Sequence, residues 1–408
     1  MSDSYPLPKD WQHPLDPPPD YKRLRQEAPV CPVRMWDGKT PWLVSRYQDV
    51  LAVLSDPRLV LDSTLPGFPH ISPSSSARQG RPLPFFLRPD AEYRVQRAML
   101  VQEFLPRRME LLRPSIQRTV DAALDAMLAG PRPVDLMGAF ALPVALQVIC
   151  DLLGVPHAGA ERLHVLSRTI GSRASSREEA TQALVALDDF FLELVEANLR
   201  EPTDTLIGRV VAEQVATGRL SAPDAASMFH SLFYAGHGPP AYMFGLGTLA
   251  LLLDPGQLEK FREMEDPAAI TAAVQELLRF INVSHLARQR VATVDVTIGG
   301  QLIRAGEGIL AQPDSANRDE TVFSDPDRLD LHREVHRHFA FGHGIHLCTG
   351  RALSLIEFEV VFKTLFQRIP TLRLAVPPEE VRFKKDENLL GVHELPVTWE
   401  PASLYSPR

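Results

Sequence analysis

Cys348 closes the run Phe341-Gly-His-Gly-Ile-His-Leu-Cys348-Thr-Gly350 and stands just before a helical pattern that begins at Arg351. These residue types suit the presentation of a thiolate to a metal. Glycines at 342, 344 and 350 let the backbone turn tightly and approach a flat ligand. They also free amide N–H groups to point at the sulfur and moderate its electron donation. The positive end of the following helix favours a negative sulfur. On a haem iron such a ligand pushes electron density onto the metal and favours O–O cleavage. Without this surrounding run, a lone cysteine reads as a small buried hydrophobe. Histidines at 332, 336, 338, 343 and 346 raise a zinc alternative, but their spacing fits no closed Cys/His set.

The elements that must carry this loop follow from pattern. Residues 1–40 read as an irregular arm, and Trp42–Asp56 as a short strand running into a helix. Residues 63–89 are rich in Pro, Ser and Gly, a loop long enough to act as a lid or to be plain solvated surface. From Glu92 to about Ile281 the pattern is almost wholly helical. Ser221-Ala-Pro-Asp224 resembles a capped start and Asp254-Pro255 a stop, enclosing a helix of about thirty residues that would cross most of a domain. After Arg290 come short strand signals, then a helix over Arg351 to about Arg368, then strand-like residues 395–400. The expectation is one domain, 1–408, mainly α with a small β-rich portion sharing its core.

Composition excludes several classes. Hydrophobic residues make up 45% and charged residues 23%, as in ordinary soluble globular proteins. A formal net charge of -8 argues against nucleic acid as a partner. Three widely spaced cysteines argue against a disulfide framework and for a reducing, cytoplasmic setting. Of these, Cys31 and Cys150 read as packing residues. The polar, proline-rich N-terminus has no signal pattern, and no run is long enough to span a bilayer. The expectation is therefore a soluble, unanchored monomer.

The cysteine segment resembles that of the cytochrome P450s, specifically the soluble bacterial kind, because FxxGxxxCxG is matched at every fixed position. The likeness extends over most of the chain in the right order. Glu276-Leu-Leu-Arg279 resembles the family's ExxR pair, whose i, i+3 spacing puts both charges on one helix face. Pro326-Asp-Arg328-Leu resembles the segment whose arginine completes that cluster, and Ala316-Asn-Arg-Asp319 is a further family phrase. The resemblance implies the cytochrome P450 fold, with haem b between a long central helix and the cysteine-bearing loop and helix. It implies Cys348 as iron ligand, with Phe341, Gly342 and Gly350 shaping the loop. It also implies that Arg97, Arg290 and His346 hold the haem propionates, with Tyr93 where a histidine is more usual. Arginine suits carboxylates because its planar fork bonds both oxygens.

One segment departs from the family. Its members usually carry Ala-Gly-x-Glu/Asp-Thr-Thr in the central helix, where the acid and the alcohol pass protons to dioxygen. This chain has Ala235-Gly236-His237-Gly238-Pro239-Pro240. Gly238 and Pro239 stand at the acid and alcohol positions, and neither can donate a proton. Each proline also removes a helical hydrogen bond, so the carbonyls of Ala235 and Gly236 lose their i+4 donors. Gly238, preceding a proline, is biased away from helical angles. A kink or opening at 235–240 is expected, with free carbonyls facing the pocket that water or a polar substrate group would satisfy. In the family register His237 points away from the oxygen.

The resemblance implies an oxidoreductase that monooxygenates a small organic molecule in bacterial specialised metabolism. Hydroxylation or epoxidation assisted by a substrate hydroxyl or a held water asks least of the protein. Peroxide-driven oxidation and oxidative aromatic coupling on a peptide or carrier-bound substrate are alternatives. A non-catalytic haem sensor is a different class. The pocket is expected to draw on residues 63–90, Phe233–Pro239, Val283–Ala287 and Leu389–His393, with Ser284, His285 and His393 as polar hooks. Without a flavin or nicotinamide motif, electrons would come from a separate ferredoxin and ferredoxin reductase. Arg107, Arg108 and Arg351 are candidate docking contacts, and Leu355 stands where the family often has arginine.

Overall fold

The computed structural model describes residues 4–73, 83–334 and 337–400. Helices fill most of the chain between Asp90 and Phe280. At their centre runs Ala222–Leu253, 32 residues long, packed between Arg177–Arg200 and Leu142–Leu153. Apart from its two ends and a stretch near its middle it is buried on every side, which suits its apolar, small-residue sequence. It starts as its sequence suggests, with the Ser221 hydroxyl accepting the Asp224 amide at 3.1 Å. Helix Arg351–Arg368 packs against it through Phe244 and Phe358.

The smaller β-rich part is built on a five-stranded sheet in the order Val30–Pro32, Trp42–Val44, Gly308–Ala311, Arg288–Ala292, Leu59–Val60. The apolar residues around this sheet form clusters separate from the main helical core. The arm expected to be irregular carries two regular elements, the helix Asp20–Glu27 and the edge strand Val30–Pro32. That helix has few apolar residues to betray it, since Tyr21 and Leu24, one turn apart, supply its buried face. The 63–89 loop ends in a short turn of helix at Phe85–Leu87, and residues 74–82 of the expected lid lie outside the described residues.

The double proline does not open the central helix. Ala222–Leu253 is continuous through Pro239 and Pro240. Proline's fixed φ near −65° is compatible with a helix, and the cost lies in the lost bonds and the ring's crowding of the i−4 carbonyl. Packing from Arg177–Arg200 and Leu142–Leu153 on either side holds the segment in the helix. A Cβ on Gly236 would come within 2.4 Å of Ile149 Cδ1, so the helix sits hard against its neighbour here.

Glu276 and Arg279 are both fully buried. Arg279 Nε donates to Glu276 Oε2 at 2.6 Å, and its other nitrogens reach the carbonyls of Asn317, Pro326 and Arg328. Glu276 Oε1 also accepts from Arg333 Nε at 3.1 Å and from the Asp330 amide at 3.1 Å. Arg333, not Arg328, therefore completes the cluster; the Arg328 side chain turns outward to Asp330. Replacing Arg279 by Met strands a buried carboxylate and should cost about 3–5 kcal/mol, read as a lowered denaturation midpoint.

Candidate active site

The cysteine loop is shaped by two of its glycines. Gly342 and Gly344 have φ of 72° and 68°, in the left-handed region that glycine enters freely. A Cβ on Gly344 would lie 2.4 Å from the Leu54 carbonyl oxygen, so the loop presses against helix Tyr47–Ser55. The Cys348 amide donates to Phe341 O at 2.9 Å and closes the loop. Gly350 contributes space instead of a turn: its φ is -82°, and a Cβ there would meet nothing within 4 Å. Burial raises the Cys348 thiol above its ordinary range, while the Gly350 amide and the charges of Arg97, Arg288 and Arg351 pull the other way.

Cys348 opens into a cavity of about 390 Å³ between this loop and the central helix. Phe341, Gly342, His346 and Gly350 line it on the cysteine side, and Ala235, Gly236, Pro239 and Pro240 on the other. His237 and Gly238 do not line it. The His237 ring turns away toward Phe233 and His164, its Nδ1 bonded to Phe233 O at 2.7 Å, and burial lowers its pKa to about 4. Gly238 is buried facing Leu389, whose Cδ1 lies 3.7 Å from where a Cβ would sit. No acid or alcohol stands at 238 or 239, and Ala235 and Gly236, whose carbonyls lack helical donors, both line the cavity. Among the expected substrate hooks Ser284 lines it, as do Phe85, Phe86, Val283 and Leu389, whereas His285 and His393 do not.

Of the residues expected at the propionates, Tyr93 and His346 line the cavity and stack at 4.4 Å between centroids. His346 Nε2 is 3.0 Å from Asp90 Oδ1. Arg97 reaches the wall through its bonds to Tyr93 Oη at 2.6 Å and Thr349 Oγ1 at 3.1 Å. Arg290 is more recessed: it is buried, bonded to Gln289 O at 2.7 Å, and its pKa is lowered by desolvation to about 10. Arg288, two residues earlier on the same strand, lines the cavity and bonds the carbonyls of Ser284 and Leu286. The period-two rule puts it on the same face as Arg290, a signal that was legible in the sequence. Asp90, Thr349 and Glu357 were missed too, and no motif marks them.

Among the described residues no group of three or more His, Cys, Asp or Glu side chains is placed to hold a metal ion, and His336 lies outside them. A second, more open groove reaches Cys348 from the far side and is lined by Arg351 and Leu355. Near it Arg107 is exposed and Arg108 pairs with Glu103 at 3.2 Å.

The donor set fits haem: a cysteine on a loop with an amide at its sulfur, open space at Gly350, and guanidinium groups beside the cavity. A mainly helical fold with this site defines the haem-thiolate oxidoreductases. Residues 259–400 match the family model described as Cytochrome P450. The chain is 42% identical to "Cytochrome P450 GfsF" of Streptomyces halstedii over 97% of this chain and 96% of that one. It is 41% identical to "Pentalenic acid synthase" of Streptomyces avermitilis, covering 96% and 97%. The crystal structure of GfsF superposes with a TM-score of 0.91 over 98% and 100% of the two chains at 42% identity. TxtC, described as hydroxylating thaxtomin at aliphatic and aromatic positions, gives 0.90 over 95% and 100% at 34% identity. The chain belongs to the cytochrome P450 family. It is a monooxygenase-type oxidoreductase whose cofactor is haem, and no helix among the described residues is long and apolar enough to cross a membrane.

Two outcomes test the site. Cys348→Ser should abolish the long-wavelength carbon monoxide band of a thiolate haem. Arg288→Gln should weaken haem retention about tenfold, as loss of a charge-assisted bond would, measured by haem transfer to apomyoglobin.

Proposed function

We propose that this cytochrome P450 inserts oxygen into a small, largely apolar organic molecule that carries its own hydroxyl close to the carbon attacked. Haem iron held by the Cys348 thiolate supplies the oxygen activation. The Gly350 amide steadies the sulfur, and Arg97, Arg288, Arg290, Tyr93 and His346 hold the propionates. The observation that carries the substrate reading is the Gly238-Pro239-Pro240 segment: the helix stays intact, yet offers no donor at the positions where an acid and an alcohol would work. The carbonyls of Ala235 and Gly236 are acceptors in want of hydrogen, and a substrate hydroxyl satisfies them while standing where protons are needed. Phe85, Phe86, Leu232, Val283 and Leu389 exclude water from the body of the molecule, while Ser231, Tyr234 and Ser284 offer orienting bonds. Electrons arrive singly from a separate ferredoxin and its reductase, docking on the Cys348 side near Arg107, Arg108 and Arg351.

Screening hydroxylated natural products for haem spectral shifts supplies a substrate, and its deoxy analogue supplies the test. The analogue should bind, yet form product about a hundredfold more slowly, with reducing equivalents diverted to peroxide. Equal rates for the pair would defeat the assisted mechanism. Turnover with peroxide alone would point to direct peroxide use, and no product by either route would leave a sensor.

A further inference from the structure

Between helix Pro267–Phe280 and strand Arg288–Ala292 the chain passes the cavity in an irregular bend, lining it through Val283 and Ser284. Irregular backbone away from water needs a dedicated partner for each of its polar groups. Here the partners come from distant parts of the chain. Leu390 N donates to Val283 O at 2.7 Å, and Gln312 Nε2 donates to His285 O at 2.7 Å. Arg288 folds back so that Nη1 donates to Ser284 O at 3.3 Å and to Leu286 O at 3.2 Å. The Ala287 amide donates to the Tyr5 hydroxyl at 2.6 Å, and that hydroxyl donates in turn to Gln312 Oε1 at 3.2 Å. Bend and guanidinium therefore form one unit, anchored on a side chain from the N-terminal arm.

Tyr5 is 3% exposed, with its ring in an apolar cluster that includes Leu286, Ala287 and Leu310. Its own amide is fixed on Arg34 O at 2.8 Å. Burial raises the phenol well above the ordinary tyrosine range, so the hydroxyl keeps its proton and can accept and donate at once. The apolar cluster does not require that hydroxyl. Phenylalanine would fill the same space, yet it would leave the Ala287 amide without this acceptor and Gln312 Oε1 without this donor. Ala287 adjoins Arg288, so the direction in which Arg288 leaves the strand is set one residue from the Tyr5 bond.

We propose that Tyr5 is a positioning residue of the haem site: its hydroxyl fixes the bend 283–287 and, through it, the guanidinium that Arg288 presents to the propionates. This rests on the reading of Arg288 as a propionate partner and carries that reading out to the N-terminal arm. Without the hydroxyl the bend is free to shift, and Arg288, bonded to two of its carbonyls, shifts with it. No proton or electron is exchanged at Tyr5; its contribution is geometric.

The test uses the full haem-loaded chain as Y5F, R288Q and the double variant of the two. Y5F keeps the buried ring, so the chain should fold. Haem transfer to apomyoglobin should be about fivefold faster in Y5F, as loss of one neutral hydrogen bond would give, and about tenfold faster in R288Q. Because Tyr5 acts through Arg288, the double variant should lose haem no faster than R288Q alone. Independent contributions would multiply to about fiftyfold and overturn the proposal. The propionate bending bands of the resonance Raman spectrum should move in Y5F in the same direction as in R288Q, which a loosening elsewhere in the fold would not produce. Bands that move in R288Q and stay fixed in Y5F leave the propionate reading standing and remove Tyr5 from it. If R288Q itself matches the native chain in haem transfer and in these bands, the propionate reading fails, and the role of Tyr5 falls with it.

Discussion

A buried carboxylate that must be fully bonded governs how this cavity is built. Glu276 has no water to turn to, so Arg279, Arg333 and the Asp330 amide have to come to it. Taking such charges out of solvent costs several kcal/mol per ion, and the attraction between them offsets this only when every lone pair finds its donor. The cluster therefore fixes geometry more than it adds stability. It pins residues 317–333 against helix Pro267–Phe280. Asn317, whose carbonyl accepts from Arg279, also takes the Phe339 amide on its side-chain oxygen at 2.7 Å. Phe339 opens the run that leads to Cys348, so the position of the sulfur is set from a charge pair remote from it in sequence.

The facing wall obeys a different constraint. A long helix buried nearly all round is held by its neighbours, and it stays helical through the prolines. Two prolines in series are tolerated because the closely packed Gly236 and the apolar turns on either side keep the register. What the prolines remove is hydrogen-bonding capacity, at the place where a member of this family would ordinarily have a relay. The helix runs on unbroken there while carrying no side-chain acid or alcohol at 238 or 239.

The sequence was most legible where local chemistry dictates structure. The Ser221 cap, the Asp254 stop, the helix from Arg351 and the strand-to-helix passage after Trp42 could each be read from residue types. Packing decided the rest. The arm helix Asp20–Glu27 is polar enough to hide its buried face, and the continuity of the helix through 235–240 depends on neighbours that no window of sequence contains. Arg333 rather than Arg328 meets Glu276 because chain direction over five residues selects the partner, not proximity to a motif. Glu357 sits with Glu359 in a largely apolar helical run where an acid usually faces water; that it lines the cavity is a fact of three dimensions.

The polar side of the cavity shows why the cofactor belongs to the fold as well as to the chemistry. Arg288 and Arg290 follow each other on one face of a strand, and their side-chain hydrogen bonds go to backbone carbonyls. Desolvation lowers the pKa of both, and Asp90, whose charge acts on Arg290, is already engaged by His346. Guanidinium groups so placed gain most from a partner bearing two carboxylates at one edge of a flat apolar body. Any ligand that binds the folded chain and not the unfolded one adds its binding free energy to stability. Haem entering this cavity would bring carboxylates to the strand's guanidinium groups and fill the space at Gly350 in one event, so cofactor capture and consolidation of the β-rich part should be thermodynamically coupled.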